Sequence, residues 1–307
     1  MTLNEAYKKG IEMLRKAGNE APAKDAGVLL CFVAHRDRAF LYSHGSDELD
    51  RETLENYFSM LESRAEGVPL QYLTGMQEFM SLPFEVGRSV LVPRQETELL
   101  VETVINLCRK PEDLTEVHDR HEGSQTMPAK HNCAPSILDI GTGSGCIAVS
   151  LAYYLPEYMA TAVDKMPDAI AVAQRNAWVN GVADRVRFIK SNLFEELARD
   201  KFDVIVSNPP YIPTNDIKGL QREVRCYEPV EALDGGMDGM HFYRAIIKEA
   251  PNFLKEGGIL AFETGYDQAA EVAALMSASF SRIKIYKDLS GIDRVVTGFN
   301  SPILFGQ

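Results

Sequence analysis

The spacing of apolar positions changes character three times along the chain. At the start it is helical. Leu3, Ala6, Tyr7, Ile11 and Leu14 share one face of a helix predicted over residues 2–17, which Thr2 and Glu5 open as a capping box. Further helices are expected over 22–34 and over 50–64, where Leu54, Tyr57, Phe58 and Leu61 form a stripe. Residues 1–75 are therefore expected to form a small helical domain. Over 76–108 the pattern is mixed: 77–80 and 83–86 read as two strands around a tight turn, and Leu99, Leu100, Val104, Ile105 and Leu107 mark a connecting helix. Residues 109–135 have no period, are rich in Pro, His and charge, and read as an exposed loop. From 136 to 307, short apolar runs alternate with helical stretches. Strands are predicted at 137–140, 160–164, 186–190, 203–207, 259–263, 282–286 and 294–299. The helices between them fall notably at 146–155, 167–180, 239–253 and 268–279. That alternation predicts an α/β fold: a seven-stranded, mostly parallel, Rossmann-like sheet with helices on both faces.

Composition adds exclusions. A chain of 307 residues with 45% hydrophobic content can build a sizeable core. A net charge of -12 and a pI near 5.1, without a dense Lys/Arg cluster, argue against a surface for phosphate backbones, so no direct nucleic-acid binding is expected. The five cysteines are scattered and odd in number, which fits a reducing, cytoplasmic setting. The first residues have no basic segment followed by an apolar one, and no apolar run can span a bilayer, so neither a signal peptide nor membrane association is expected. His118, His121, His131 and Cys133 match no tight metal-ligand spacing, and no metal is expected. His35 and His44 read as packing or surface residues. A monomer is expected.

Two stretches carry chemistry. The first is Leu138 to Cys146, a strand that runs into a helix through Gly141, Thr142, Gly143, Ser144 and Gly145. Glycines let a backbone turn tightly and approach a ligand closely. The dinucleotide fingerprint G-x-G-x-x-G fails here, because its last position is Cys146, and no basic residue makes the loop a phosphate-binding P-loop. The second strand ends in Asp164, 23 residues after Gly141, where a carboxylate can accept both ribose hydroxyls. Glycines in the order G-x-G-x-G with that acid are the pattern of class I methyltransferases that use S-adenosylmethionine and release S-adenosylhomocysteine. On this reading Asp139 either orients the methionine end of the cofactor or structures the loop. Asn192 hydrogen-bonds the adenine amino group, and Leu193 packs on the adenine.

The second stretch is Asn208-Pro209-Pro210-Tyr211, at the carboxyl end of the strand 203–207. Open α/β sheets place ligands there. The prolines end the strand and stiffen the chain beyond it. Asn208 Oδ1 and the Pro209 carbonyl are two acceptors on a rigid bracket, suited to the two N–H groups of a planar amide or aromatic amine. Tyr211 adds an aromatic face. Holding such a nitrogen in line with an activated methyl is the main task of the enzyme. Asn208, Pro209 and Tyr211 are the expected catalytic group, with Asn208 also beside the cofactor and Pro210 beside the substrate. Pro93 and Arg94 precede the connecting helix and read either as a linker or as a substrate-contacting edge.

Nearly the whole chain resembles the HemK/PrmC family of release factor N5-glutamine methyltransferases. The resemblance rests on residues 69–75, 79–84 and 92–98, on the glycine loop and bracket, and on 227–229, 232–236, 238–239, 242–244, 263–265 and 288–294. It implies methylation of the Gln side chain in the Gly-Gly-Gln motif of class I peptide chain release factors, and an N-terminal domain that helps hold that protein. Gln95, where the family usually has proline, and Asn192, where related enzymes often have an acid, depart from the pattern. Two related substrates stay open: a ribosomal protein glutamine, and an adenine N6 in nucleic acid. A cofactor-binding module without catalysis is disfavoured by the intact Asn208 and Tyr211.

Overall fold

The computed structural model describes residues 1–109, 134–198 and 200–300. The aperiodic stretch with His118, His121, His131 and Cys133 lies outside them, apart from Ala134 and Pro135. The chain divides into two compact units. The first holds residues 1–76, 86–88 and 219–228, and the second holds the remainder.

In the first unit the expected helices form as α1 (Leu3–Lys16), α2 (Pro22–Ala34) and α4 (Arg51–Ala65). Two further helices, α3 (Arg38–Ser43) and α5 (Leu70–Thr74), are too short to show a period in the sequence. The Thr2–Glu5 capping box forms at the start of α1. Leu3, Ala6, Leu14, Leu29, Leu30, Tyr57 and Leu61 make the core. α1 and α4 meet closely at Gly10, where a Cβ would collide with the Tyr57 hydroxyl, which itself donates to the Ala26 carbonyl at 3.2 Å. Buried Asp25 is paired: Arg64 Nε donates to it at 2.7 Å and Arg64 Nη1 to Glu223 at 2.7 Å. A buried charge without such a partner would cost several kcal/mol, roughly 3–5 by analogy with broken buried pairs.

The second unit begins inside a hairpin, β1 (Met76–Phe79) and β2 (Leu82–Glu85), of which Met76 still clusters with the first unit. Met80 and Ser81 in its turn both have positive φ, the twist that two-residue hairpins favour, here without glycine. Two contacts hold the strained turn: Met80 N–H donates to Glu98 at 2.6 Å, and the Tyr154 hydroxyl donates to the Met80 carbonyl at 2.6 Å. Then come α6 (Gln95–Arg109), β3 (Ser136–Ile140), α7 (Cys146–Tyr154), β4 (Met159–Asp164), α8 (Pro167–Val179), β5 (Val186–Lys190) and β6 (Phe202–Ser207). The segment 219–228, with α9 (Arg222–Tyr227), belongs to the first unit. The second unit resumes with α10 (His241–Phe253), β7 (Leu254–Glu263), α11 (Ala269–Met276), β8 (Ser281–Lys287) and β9 (Asp293–Phe299).

The seven strands stand in the order β5-β4-β3-β6-β7-β9-β8. All pairings from β5 to β7 are parallel, and β9 runs antiparallel to both of its neighbours. The expected seven-stranded, mostly parallel sheet is therefore present. Side chains alternate between two cores: Ile137, Val204, Val206 and Ala261 join one, and Leu138, Ile205, Leu260 and Phe262 the other. Burial of both faces explains why these strands read as unbroken apolar runs. β7 starts five residues before its predicted start, because Leu254 pairs with Phe202 across a bulge. The Lys255-Glu256-Gly257-Gly258 stretch masked that extension. Among the described residues no helix is long and apolar enough to cross a membrane.

Candidate active site

Strand order reverses between β3 and β6: the chain builds outward from β3 to β5, then returns to β6 on the other side. In open α/β sheets this reversal leaves a crevice at the carboxyl ends of the strands. The glycine loop leaves β3 on one side of it and the Asn-Pro-Pro bracket leaves β6 on the other. The two strand ends are tied together by Ser207 Oγ, which donates to the Ile140 carbonyl at 2.7 Å.

The glycine loop is fixed largely by its own backbone. Gly141 and Thr142 N–H both donate to the Val163 carbonyl, at 2.9 and 3.0 Å. Gly145 has φ +81°, and a Cβ there would sit 2.9 Å from the Ala173 Cβ, so only glycine lets α7 start so close to α8. Asp164 Oδ2 accepts from Gly143 N–H and Oδ1 from Met166 N–H, each at 2.9 Å. Each carboxylate oxygen keeps acceptor capacity for a further hydroxyl. Burial pushes the Asp164 carboxyl upward, and those main-chain donors oppose the shift. Asn192 Nδ2 donates to Glu195 at 2.7 Å, which leaves the amide oxygen as its remaining acceptor. Leu193 is held at φ +51°. Asp139 lies fully buried behind the loop, where Oδ2 accepts from Thr142 Oγ1 at 2.6 Å and from Ala148 N–H at 3.2 Å. Its Oδ1 has no hydrogen-bond partner among the described residues, and burial pushes the carboxyl up to about 7.

The bracket is held from several directions. Asn208 Nδ2 donates to Thr97 Oγ1, on α6, at 3.2 Å. Beyond the prolines the chain is clamped by a later segment: Ile212 N–H donates to the Leu233 carbonyl at 3.0 Å and Gly235 N–H to the Ile212 carbonyl at 2.8 Å. A Cβ at Gly235 would lie 2.7 Å from the Tyr211 Cα, which shows how closely the two segments approach. The Tyr211 carbonyl accepts from Gln268 Nε2 at 2.9 Å. Burial pushes the Tyr211 phenol up to about 12, so it stays neutral.

These pieces line one cavity of about 270 Å³. Its wall brings together Arg94, Gly141, Thr142, Gly143, Ser144, Asp164, Asn192, Leu193, Asn208, Pro209 and Pro210. Asp139, Gly145 and Tyr211 are not on that wall: the first two shape the glycine loop from behind, and Tyr211 packs beside the core of β7 and α10. Sequence reasoning missed Thr97, Asp234 and Phe242, which also line the cavity, and Glu263, which meets Asn208 from behind. The one available signal was that Thr97 and Glu263 are polar residues within otherwise apolar patterns.

A Cβ at Gly141 or Gly143 would meet nothing within 4 Å, so the wall beside the acid is bare backbone facing open space. With Asp164, the Asn192 amide oxygen and Leu193 around it, this lining fits an adenosyl group. The sheet order with its single reversed strand, the glycine turn after β3, the acid ending β4 and the bracket ending β6 together define a class I methyltransferase.

The sequence narrows that class. Residues 5–75 match the PrmC N-terminal domain, and residues 124–221 match the Methyltransferase small domain. The release factor glutamine methyltransferase of Geobacter sulfurreducens is 43% identical over 93% of this chain and 92% of its own. That of Moorella thermoacetica is 40% identical over 96% and 97%. That of Clostridium acetobutylicum is 35% identical over 96% and 98%. The chain belongs to the release factor glutamine methyltransferase family.

Proposed function

We propose that this protein transfers a methyl group from S-adenosylmethionine to the side-chain amide nitrogen of the Gln in the Gly-Gly-Gln motif of class I peptide chain release factors, and so tunes translation termination. The observation that carries the reading is one cavity wall joining a bare glycine turn and a ribose-type acid to a proline-stiffened Asn. When bound, S-adenosylmethionine supplies an activated methyl. Gly141 to Ser144 and Asp164 would hold the nucleoside and methionine portions, and Asn192 and Leu193 would receive the adenine, while buried Asp139 structures the loop from behind.

An amide nitrogen is a weak nucleophile because its lone pair is delocalised into the carbonyl. Asn208 Oδ1 and the Pro209 carbonyl each accept one N–H of the target amide, which fixes the nitrogen in line and favours pyramidalisation. As the N–C bond forms and the methyl–sulfur bond breaks, leaving S-adenosylhomocysteine, positive charge passes to nitrogen, where the two oxygens would stabilise it. The nitrogen then gives up one proton to water. Tyr211 supports the bracket by packing, and Arg94 contacts the incoming peptide. The N-terminal unit holds the body of the release factor.

The test is transfer of labelled methyl to a release factor, a ribosomal protein and DNA assayed side by side. Labelling of the release factor alone, lost when the Gln of Gly-Gly-Gln is replaced, is the expected result. Equal labelling of the Gln-less factor sinks the proposal, and dominant labelling of either other substrate reassigns the activity.

A further inference from the structure

Glu263 is an ionisable residue at the carboxyl end of β7, only 2% exposed. Its place is fixed by pairing with Val295 on β9, and by the Tyr243 hydroxyl, which donates to its carbonyl at 2.9 Å. Its carboxyl lies behind the Thr97–Asn208 pair, whose polar hydrogens favour its charged form, and its Oε2 has no hydrogen-bond partner among the described residues. Burying an incompletely satisfied carboxyl is costly, so a local structural role does not account for it. Asn208 is already anchored to Thr97, and an apolar residue would fill the space behind it.

The hydrogens explain the arrangement. A threonine hydroxyl has one proton and a carboxylate has none. With Glu263 ionised, Thr97 donates to it, and the Thr97 oxygen can then only accept. Asn208 must therefore turn Nδ2 inward, as observed at 3.2 Å. Its Oδ1 is then the amide atom left for the cavity. If Glu263 carries a proton, the chain can run the other way: Glu263 donates to Thr97, Thr97 donates to Asn208 Oδ1, and the amide presents its NH2 group outward. A donor would then face the donor groups of the target amide.

We infer that Glu263 is a positioning residue: acting through Thr97, it sets the direction of hydrogen bonding behind the bracket, so that Asn208 presents an acceptor to the methyl-accepting amide. The inference rests on the proposed reading that Asn208 receives a target NH2 group. The ionised form is needed, and its surroundings place the switch within an accessible range. Burial pushes the carboxyl up to about 7. Arg294 on β9 favours the charge and Glu96 at the start of α6 opposes it. Tyr211, Tyr243 and Cys146 also feel Glu263, and burial raises the pKa of each, so all three remain neutral across that range.

Turnover of the wild-type protein at saturating substrates is expected to rise as pH passes about 7. Glu263→Gln keeps the shape but removes the acceptor-only character. It should lower kcat about 10- to 100-fold, flatten the pH profile and leave the cofactor Kd unchanged. Thr97→Val should reproduce those effects, whereas Thr97→Ser, which keeps the hydroxyl, should restore most of the turnover lost in Thr97→Val. Wild-type turnover in Glu263→Gln, an unflattened pH profile, or equal behaviour of the two Thr97 variants would overturn the inference. Absence of wild-type transfer to the Gly-Gly-Gln protein would count against the proposed function instead. A substrate-free readout decides the inference in that case too: the side-chain NH2 resonances of Asn208 in 15N-labelled protein. They should shift with pH around 7 in the wild type and not in Glu263→Gln. Resonances that ignore pH in the wild type would overturn it.

Discussion

The two sides of the cavity are built by different means. On the glycine-loop side, positions are set mainly by main chain: Gly141, Thr142, Gly143 and Met166 all donate backbone N–H groups over short spans at the ends of β3 and β4. On the bracket side, one side-chain amide carries the proposed chemistry, anchored to Thr97 on α6 with Glu263 of β7 behind it. On the proposed reading the loop side binds what is common to every turnover, through main chain organised around the Asp164 carboxylate. A single oriented amide acts only when the target nitrogen arrives, and its loss is felt in the chemical step. Damage on one side should therefore appear as affinity and on the other as rate.

The largest separation is expected from Asn208→Ala. Removing one of two acceptors on the developing charge should lower kcat by about 10²–10³-fold, as for other preorganised polar groups, with cofactor Kd unchanged in a calorimetric titration. A comparable loss of cofactor affinity would erase the distinction between the two sides.

Glu263 gives a stability test of the bracket side. Its carboxyl is pushed from the ordinary 4.5 up to about 7 by burial. The folded state therefore binds a proton more tightly than the unfolded state. Stability linked to that proton is fully present below about pH 4.5 and is lost as pH rises through about 7. Asp139 behaves the same way, rising from 3.8 to about 7, and remains in the variant. Between pH 5 and pH 8 the Glu263→Gln protein should gain roughly 3 kcal/mol on the wild type, measured by urea denaturation of both. Parallel stability curves would show that Glu263 is not held against its charge. The gain would accompany a loss of turnover, as when a site is kept at the expense of stability.

On the loop side, Asp164→Ala should weaken cofactor binding about 10- to 100-fold, the range of a lost hydrogen bond to a charged group, while kcat at saturating cofactor changes little. An unchanged titration removes the ribose assignment. The smallest effect is expected from Gly145→Ala. It forces a Cβ against Ala173 at positive φ and should cost about 1–2 kcal/mol, read as a lower Tm, with cofactor affinity falling only as far as the loop shifts. An unchanged Tm would mean that α7 and α8 can separate freely.

Much of the fold was legible in the sequence, because it depends on neighbours along the chain. Periods of apolar residues located all seven sheet strands and the long helices. Thr2 and Glu5 marked the first cap, and the glycines, Asp164 and Asn208 to Pro210 each announced themselves within a few residues. The short helices α3, α5 and α9 left no period to read. The early start of β7 was hidden by a polar, glycine-containing stretch that pairs only in the sheet. The early segment 86–88 and the late segment 219–228 both cluster with the N-terminal helices, which local spacing cannot show.

By itself the sequence determined which strands and turns exist and which residue types stand at their ends, since backbone preference and burial of apolar faces are local or periodic properties. Tertiary structure alone decided that β6 returns beside β3, which brings the glycine loop and the bracket to one cavity. It also decided that Tyr211 supports from behind, and that Thr97 and Glu263 meet Asn208 across 111 and 55 residues of chain. Those contacts are set by strand order and packing, which spacing along the chain does not encode.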